Sequence, residues 1–198
     1  MMRTWVTKLE TFRRWQLDEE ATLQDLIERL TTFEPTEAMK AGVAFHKALE
    51  TITVGDYPAI ECDGYTFLLP DGRVEMPEVR ELRLVVDYAD LKVTGRVDAI
   101  QGNIVTDWKT TSSFNPDGYF DGCQWRFYLD MFEADVFRWV IFEITPDPKV
   151  PMLYRVKAPH VLEQMRYPGL HEDCERMARD FHEFVKEHMP AQAKEWAV

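Results

Sequence analysis

Apolar residues recur along this chain at two spacings, one typical of helices and the other typical of β-strands. Apolar positions at i, i+3, i+4 and i+7 predict an amphipathic helix over about residues 19–31. Thr36 is a suitable N-cap for a second helix that runs through Leu49 and has an acidic residue in its first turn. The same helical spacing predicts helices over about 119–133 and 170–189.

Segments rich in valine, isoleucine and leucine predict the strands. Three of them, 82–88, 91–100 and 104–109, are separated by short turns and therefore predict a meander. Residues 136–144 are strongly apolar and predict a central strand. Residues 153–156 follow a proline-rich stretch and predict an edge strand.

A peripheral hairpin is predicted as well, because residues 65–69 and 73–76 flank the turn sequence Pro70-Asp71-Gly72. The order of elements is then helices, meander, helix, strands and helix. This order predicts an α/β fold, with a central mixed β-sheet flanked by helices. The chain has 198 residues, of which 45% are hydrophobic, and this length predicts a single domain over residues 1–198.

Composition narrows the class of protein only a little. The formal net charge of −12 argues against a protein that coats nucleic acid through bulk electrostatics, but it permits an enzyme with a local basic groove. Cys62, Cys123 and Cys174 are widely scattered, which favours reduced thiols and a cytoplasmic location. The sequence has neither a signal-peptide pattern nor an apolar stretch that would span a membrane, so we expect no membrane partner.

A predicted hairpin brings two carboxylates together. A two-residue turn at Gly102-Asn103 sets a register in which Asp98 lies directly opposite Asp107. Lys109 is two residues further on and shares that face. Two carboxylates so placed repel one another unless they bind a cation or share a proton. The alternative is a solvated strand face with no function.

Two helices carry further candidate residues. His46 lies one turn after Gly42, whose lack of a side chain allows another backbone or a substrate to approach closely. A neutral imidazole with two carboxylates suits Mg²⁺ or Mn²⁺, although a histidine on an apolar helix is also common as a core residue. Gln124 and Tyr128 are four residues apart and project from one helical face, either as packing residues or as phosphate-holding groups.

These residues fall into four ordered motifs, and the set resembles the PD-(D/E)XK nuclease superfamily, in particular its RecB-type branch. The motifs are GxxxH at Gly42–His46, GxxD at Gly95–Asp98, (D/E)XK at Asp107–Lys109 and QxxxY at Gln124–Tyr128. The resemblance implies a restriction-endonuclease-like core, with the motifs inside about residues 37–157. Branch members that hold an iron–sulfur cluster use four cysteines, so we expect no cluster in this chain.

The resemblance also implies a role for each motif residue. It implies that Mg²⁺ or Mn²⁺ is held by His46, Asp98, Asp107 and the backbone carbonyl of Trp108. It implies that Asp98, Asp107 and Lys109 are catalytic and that Gln124 and Tyr128 position the substrate. A glutamate near the start of the meander, Glu81, is an auxiliary candidate that is otherwise interpreted as a surface residue.

The function implied is a metal-dependent DNA nuclease that leaves 5′-phosphate and 3′-hydroxyl ends. We expect an exonuclease of recombination or repair, of phage or bacterial type, that acts on linear duplex or single-stranded DNA. Arg13, Arg14 and Arg126 are candidate DNA contacts, and a recombination protein or further copies of this chain are candidate partners. The alternatives are a structure-specific or single-strand endonuclease and a DNA-binding module without catalysis.

Overall fold

The structure is a computed structural model that describes residues 1–32, 34–70, 73–74, 77 and 79–197. The helices are α1 (Val6–Leu17), α2 (Leu23–Thr31), α3 (Glu37–Thr51), α4 (Asp117–Phe120), α5 (Gln124–Met131), α6 (Leu170–His188) and α7 (Pro190–Glu195). The strands are β1 (Met2–Trp5), β2 (Gly55–Asp56), β3 (Ala59–Cys62), β4 (Tyr65–Leu68), β5 (Arg73–Val74), β6 (Val79–Tyr88), β7 (Leu91–Gln101), β8 (Ile104–Thr111), β9 (Val136–Pro146), β10 (Leu153–Val156) and β11 (His160–Met165).

The main sheet is mixed. Its strand order is β1-β7-β8-β9-β10-β4-β3, with β6 also paired to β7 and β11 also paired to β9. The pairs β1–β7, β8–β9 and β10–β4 are parallel, whereas β6–β7 and β7–β8 are antiparallel. The predicted meander and the central position of β9 are therefore confirmed.

Helices cover both faces of this sheet. On one face, α1, α2, α5 and α6 bury a cluster that includes Phe12, Leu26, Phe127 and Phe181. On the other face, α3 packs Phe45 into a second cluster that also contains residues of β3, β4, β8, β9 and β10. The predicted α/β architecture, with helices flanking a mixed sheet, is confirmed. None of the described helices is long and apolar enough to cross a bilayer.

The predicted hairpin around Pro70-Asp71-Gly72 is wrong. Strand β4 pairs with β3 through a turn at Asp63-Gly64, where both residues have positive φ. Such φ values are those of a tight hairpin turn. Strand β5 instead pairs with β2, and residues 71–72 lie outside the described residues.

Strand β10 is also not at an edge of the sheet, because it lies between β9 and β4. The prolines before it do not block pairing, since they precede the strand. Strand β4 joins it in parallel, with Tyr154 opposite Phe67. The tilted packing of these two aromatic rings, with centroids 5.8 Å apart, adds to the contact between the strands.

Helix boundaries differ from the predictions where side chains bind the backbone. Helix α2 begins only at Leu23, because Thr22 and Asp25 form a reciprocal capping box there. Thr36 is the N-cap of α3, as predicted, and its side chain accepts a hydrogen bond from the Met39 N–H. The region predicted as one helix over 119–133 is divided into α4 and α5.

Candidate active site

The sheet splits at the middle of β7. One edge of β7 pairs with β1 as far as Thr94 and with β8 only from Ala99 onward. Within the described chain, no strand pairs with that edge between these two points. A cavity of about 760 Å³ lies there, and it brings together all six side chains predicted from the motifs. They are His46, Asp98, Asp107, Lys109, Gln124 and Tyr128.

Asp98 lies at the point where the side chains of β7 stop alternating regularly between the two faces of the sheet. The predicted register is confirmed, because Gln101 pairs with Ile104 and the ladder runs to Ala99. Val97 belongs to one core cluster and Ala99 to the other, although residues two apart in a regular strand share a face. The Asp98 carboxylate accepts a hydrogen bond from the backbone N–H of Trp108 at 2.6 Å. The acid pair is therefore not a regular cross-strand pair, as predicted from the hairpin, but it shares one cavity.

Asp107 is buried, with 4% of its surface exposed, and it is held by two side chains. The Lys109 ammonium donates a hydrogen bond to its Oδ1 at 3.0 Å, and the Gln124 amide donates to the same atom at 3.2 Å. Lys109 Nζ also lies 2.8 Å from Oδ2, but no described group donates a well-aligned hydrogen bond to that oxygen. One carboxylate oxygen therefore keeps its lone pairs inside a buried site.

Burial disfavours the charged forms of the two acids, and the charge of Asp107 adds to this effect at Asp98. Burial, followed by the charge of Asp107, raises the pKa of Asp98 to about 8. Burial likewise raises the pKa of Asp107. Burial also works to lower the pKa of Lys109, but the charge of Asp107 and the hydrogen bond to it prevail and raise that pKa. The lysine therefore remains an ammonium ion at neutral pH.

His46 is a neutral ring beside the acids. Its Nδ1 lies 4.0 Å from Oδ2 of Asp98. Burial, followed by the positive charges of Lys109 and Arg96, lowers the pKa of His46 to about 4. A neutral imidazole keeps a lone pair that can bind a metal.

The donor set fits a divalent cation such as Mg²⁺ or Mn²⁺. Two ligand atoms that each lie about 2.1 Å from one ion are separated by at most about 4.2 Å, and the His46–Asp98 distance is within that limit. A cation would use the Asp107 oxygen that accepts no aligned hydrogen bond, and it would relieve the repulsion of Asp98 by Asp107. Among the described residues, however, no three His, Cys, Asp or Glu side chains already form a complete metal-binding group.

The two motif glycines each accept a neighbouring side chain. A Cβ on Gly42 would lie 2.6 Å from Oγ1 of Thr110, so the close approach is made by a side chain of β8 and not by a backbone. A Cβ on Gly95 would lie 2.9 Å from Sδ of Met131 and 3.1 Å from the ring of Tyr128. Both glycines therefore allow motif-bearing helices to pack onto motif-bearing strands.

Glu10 of α1 supports the site from the neighbouring cavity, and no pattern in the sequence pointed to it. Its Oε2 accepts hydrogen bonds from the backbone N–H groups of Cys123 and Gln124, at 2.6 and 2.9 Å. These groups form the start of α5, so Glu10 caps the helix that carries Gln124. A side chain on Gly122 would occupy the space of this carboxylate.

Glu81 lines the same cavity, so its interpretation as a surface residue is wrong. Its side chain is 25% exposed and forms an ion pair with Arg96 at 3.0 Å. Its φ of 56° lies in the left-handed region, which is costly for a residue other than glycine. On β6 it stands between the residues that pair with Ala99 and Val97, and therefore faces Asp98.

The three arginines predicted as DNA contacts lie apart from this cavity. Arg14 forms an ion pair with Glu10 at 2.6 Å and lines a neighbouring cavity of about 350 Å³ that also reaches Lys109. Arg126 donates to the carbonyl of Gly122 and stacks over the ring of Trp125. Arg13 lines neither of these two cavities.

Comparison with solved structures identifies the architecture. The crystal structure of LHK-Exo in complex with dAMP aligns over 98% of this chain and 94% of its own, with a TM-score of 0.50 and 13% identity. This chain shares the fold of LHK-Exo. LHK-Exo is described as an alkaline exonuclease from Laribacter hongkongensis, and a second structure of it gives a TM-score of 0.46 at 15% identity, over 98% of this chain and 95% of that one.

A third structure, that of SSO0001, is 22% identical to this chain and gives a TM-score of 0.48, over 91% of this chain and 75% of that one. No protein-family model matches the sequence. No curated protein matches it either.

Proposed function

We propose that this protein is a metal-dependent nuclease of the PD-(D/E)XK superfamily, of its RecB-type branch. The observation that carries the proposal is the convergence of His46, Asp98, Asp107 and Lys109 on one cavity. A neutral imidazole, two carboxylates whose ionisation is disfavoured and a charged lysine together form a site for a divalent cation and a phosphate. The shared fold with LHK-Exo supports the same class of enzyme.

Mg²⁺ or Mn²⁺ would be held by His46, Asp98, Asp107 and the carbonyl of Trp108. In a strand, the N–H and C=O of one residue point to the same neighbour. Because the N–H of Trp108 reaches Asp98, we expect its carbonyl to point to the same side of β8. The bound ion would lower the pKa of a coordinated water and neutralise charge on the phosphate.

The remaining residues orient and stabilise the reacting groups. Lys109 keeps its proton and therefore does not act as a general base. We assign it the role of stabilising the negative charge that develops on the phosphate. Gln124 Nε2 lies 3.2 Å from Asp107 and 3.4 Å from the hydroxyl of Tyr128. This pair holds Asp107 in place and offers hydrogen bonds to the substrate strand.

The substrate we assign is DNA, cleaved to 5′-phosphate and 3′-hydroxyl ends by an exonuclease of recombination or repair. This choice is supported by LHK-Exo, which shares the fold, is described as an alkaline exonuclease and was solved in complex with dAMP. The intact acid pair and Lys109 support an active enzyme over a DNA-binding module without catalysis, because such a module usually lacks one of these groups.

The test is hydrolysis of linear duplex DNA, labelled at the 5′ or 3′ end, with Mg²⁺, with Mn²⁺ and with EDTA. Closed circular DNA is incubated beside it. We expect mononucleotide release from the linear DNA with either metal and none in EDTA. Absence of cleavage with both metals contradicts the proposal, and nicking of the circle at a rate equal to that on linear DNA contradicts the exonuclease assignment.

A further inference from the structure

The cavity has a second wall, formed by Trp5, Arg83 and Arg96, which we call the tryptophan–arginine wall. Trp5 is the last residue of β1. Its neighbours Thr4 and Val6 are buried, so its backbone is fixed, yet Trp5 is 42% exposed. An indole ring that a rigid strand holds partly in solvent, beside a reactive site, loses the free energy of burial unless a ligand covers it.

The same wall carries excess positive charge. Arg83 lies directly opposite Arg96 in the β6–β7 ladder, and like charges in this position are destabilising. Arg96 is compensated by Glu81. The Arg83 guanidinium lies 4.6 Å above the Trp5 ring, and in the described part of the chain it forms no ion pair. An uncompensated guanidinium in a protein of formal net charge −12 favours an anionic ligand at this point.

We propose that the tryptophan–arginine wall is a binding site for one unpaired nucleotide adjacent to the scissile phosphate. Its base stacks on the face of the Trp5 ring that the Arg83 guanidinium does not cover, and its phosphate contacts Arg83. Exposed aromatic rings and guanidinium groups are the side chains on which unpaired bases stack. The proposal rests on the proposed function, because it takes the bond that is cleaved to lie at the acid pair of the same cavity.

This site implies a substrate preference. A base inside a duplex is covered on both faces by its neighbours and cannot stack on Trp5 without first leaving the helix. The wall therefore favours single strands and frayed or overhanging ends over blunt duplex ends. It adds a point of contact inside the cavity to the candidate DNA contacts Arg13, Arg14 and Arg126, which do not line it.

The test uses a single-stranded oligonucleotide with 2-aminopurine as its terminal base and phosphorothioate linkages that resist hydrolysis, in the presence of Mg²⁺. Stacking on an aromatic ring quenches 2-aminopurine fluorescence. We expect quenching on binding to the unmodified protein, its loss in Trp5→Leu and its retention in Trp5→Phe. Affinity should fall about 10- to 100-fold in the leucine variant.

A matched control is Trp196→Leu. Trp196 also carries a cation over its ring, Lys8 at 3.5 Å, but it lies outside the cavity, so its replacement should leave quenching and affinity unchanged. A second oligonucleotide with an abasic terminal position completes the cycle. The unmodified protein and Trp5→Leu should bind the abasic strand with equal affinity. If Trp5 had only a structural role, the leucine variant would bind the abasic strand more weakly as well.

The outcomes separate this proposal from the proposed function. If Trp5→Leu quenches and binds as the unmodified protein does, the stacking site is refuted while nuclease activity on linear DNA is unaffected. Equal losses on the normal and the abasic strand also refute it. If the unmodified protein neither binds the oligonucleotide nor cleaves linear DNA, both proposals fail.

Discussion

Replacement of Gly42 by alanine tests how α3 and β8 hold the site together. The new Cβ would lie 2.6 Å from Oγ1 of Thr110, well short of the 3.4 Å at which ordinary contact begins. Thr110 is β-branched and follows Lys109 directly, so it rotates little and its displacement moves the catalytic strand. Overpacking of this kind costs about 1–3 kcal/mol.

A second effect opposes the first. Gly42 lies inside α3, where alanine is favoured over glycine by about 1 kcal/mol. We therefore expect Gly42→Ala to lower the free energy of unfolding by about 0–2 kcal/mol. In a Thr110→Ala background the clash is absent, so the same change should raise it by about 1 kcal/mol. The sign of the effect depends on one neighbouring side chain.

Urea unfolding of the four proteins of this cycle measures the coupling between the two positions. Thr110→Val is a matched control, because it keeps the γ atoms and should not rescue Gly42→Ala. Nuclease activity should fall in Gly42→Ala and recover in the double variant. If Gly42→Ala stabilises the protein in both backgrounds, the close approach of α3 to β8 is refuted.

Three further predictions concern the site and its supports. At about pH 9, above the raised pKa of Asp98, Asp98→Asn keeps an acceptor for its backbone hydrogen bond and removes one of two repelling charges, so the melting temperature in EDTA should rise while hydrolysis is lost; a lower melting temperature at that pH contradicts the repulsion. Glu10→Ala leaves two N–H groups of α5 unpaired and should lower stability by about 1–3 kcal/mol and also lower kcat, whereas Arg14→Ala, which removes only a half-exposed partner, should change stability by less than about 1 kcal/mol; equal losses would refute the capping role. The hydrogen bond to Asp130 raises the pKa of His171, so the stability it contributes is present below the unfolded pKa of about 6.5 and is lost as pH rises through the higher folded pKa. His171→Gln should therefore lower the urea midpoint at about pH 5.5 and leave it unchanged at about pH 9, with a small effect because the ring is 53% exposed; a larger loss at high pH would contradict this.

Features that depend on neighbours a few residues apart could be predicted from the amino-acid sequence. Thr36 begins α3 because a threonine side chain caps the third residue after it. The Gly102-Asn103 turn set the pairing of β7 with β8, because a two-residue turn fixes the register. The positions of β9 and α6 followed from strong apolar patterns. The six motif residues were also identified from sequence, and their convergence on one cavity agrees with the ordered motifs.

The contacts between distant segments could be read only from the three-dimensional structure. Asp-Gly turn sequences lie on both sides of β4 and are equivalent locally, and the pairing of β4 with β10 and β3 selected the one at Asp63-Gly64. Glu10 caps a helix that begins 114 residues later, and Trp5 reaches the cavity only because β1 pairs in parallel with β7. Asp98 leaves the regular ladder at the point where two strands of that sheet diverge. Such contacts depend on the free energy of packing between remote parts of the chain, which no local pattern of residues contains.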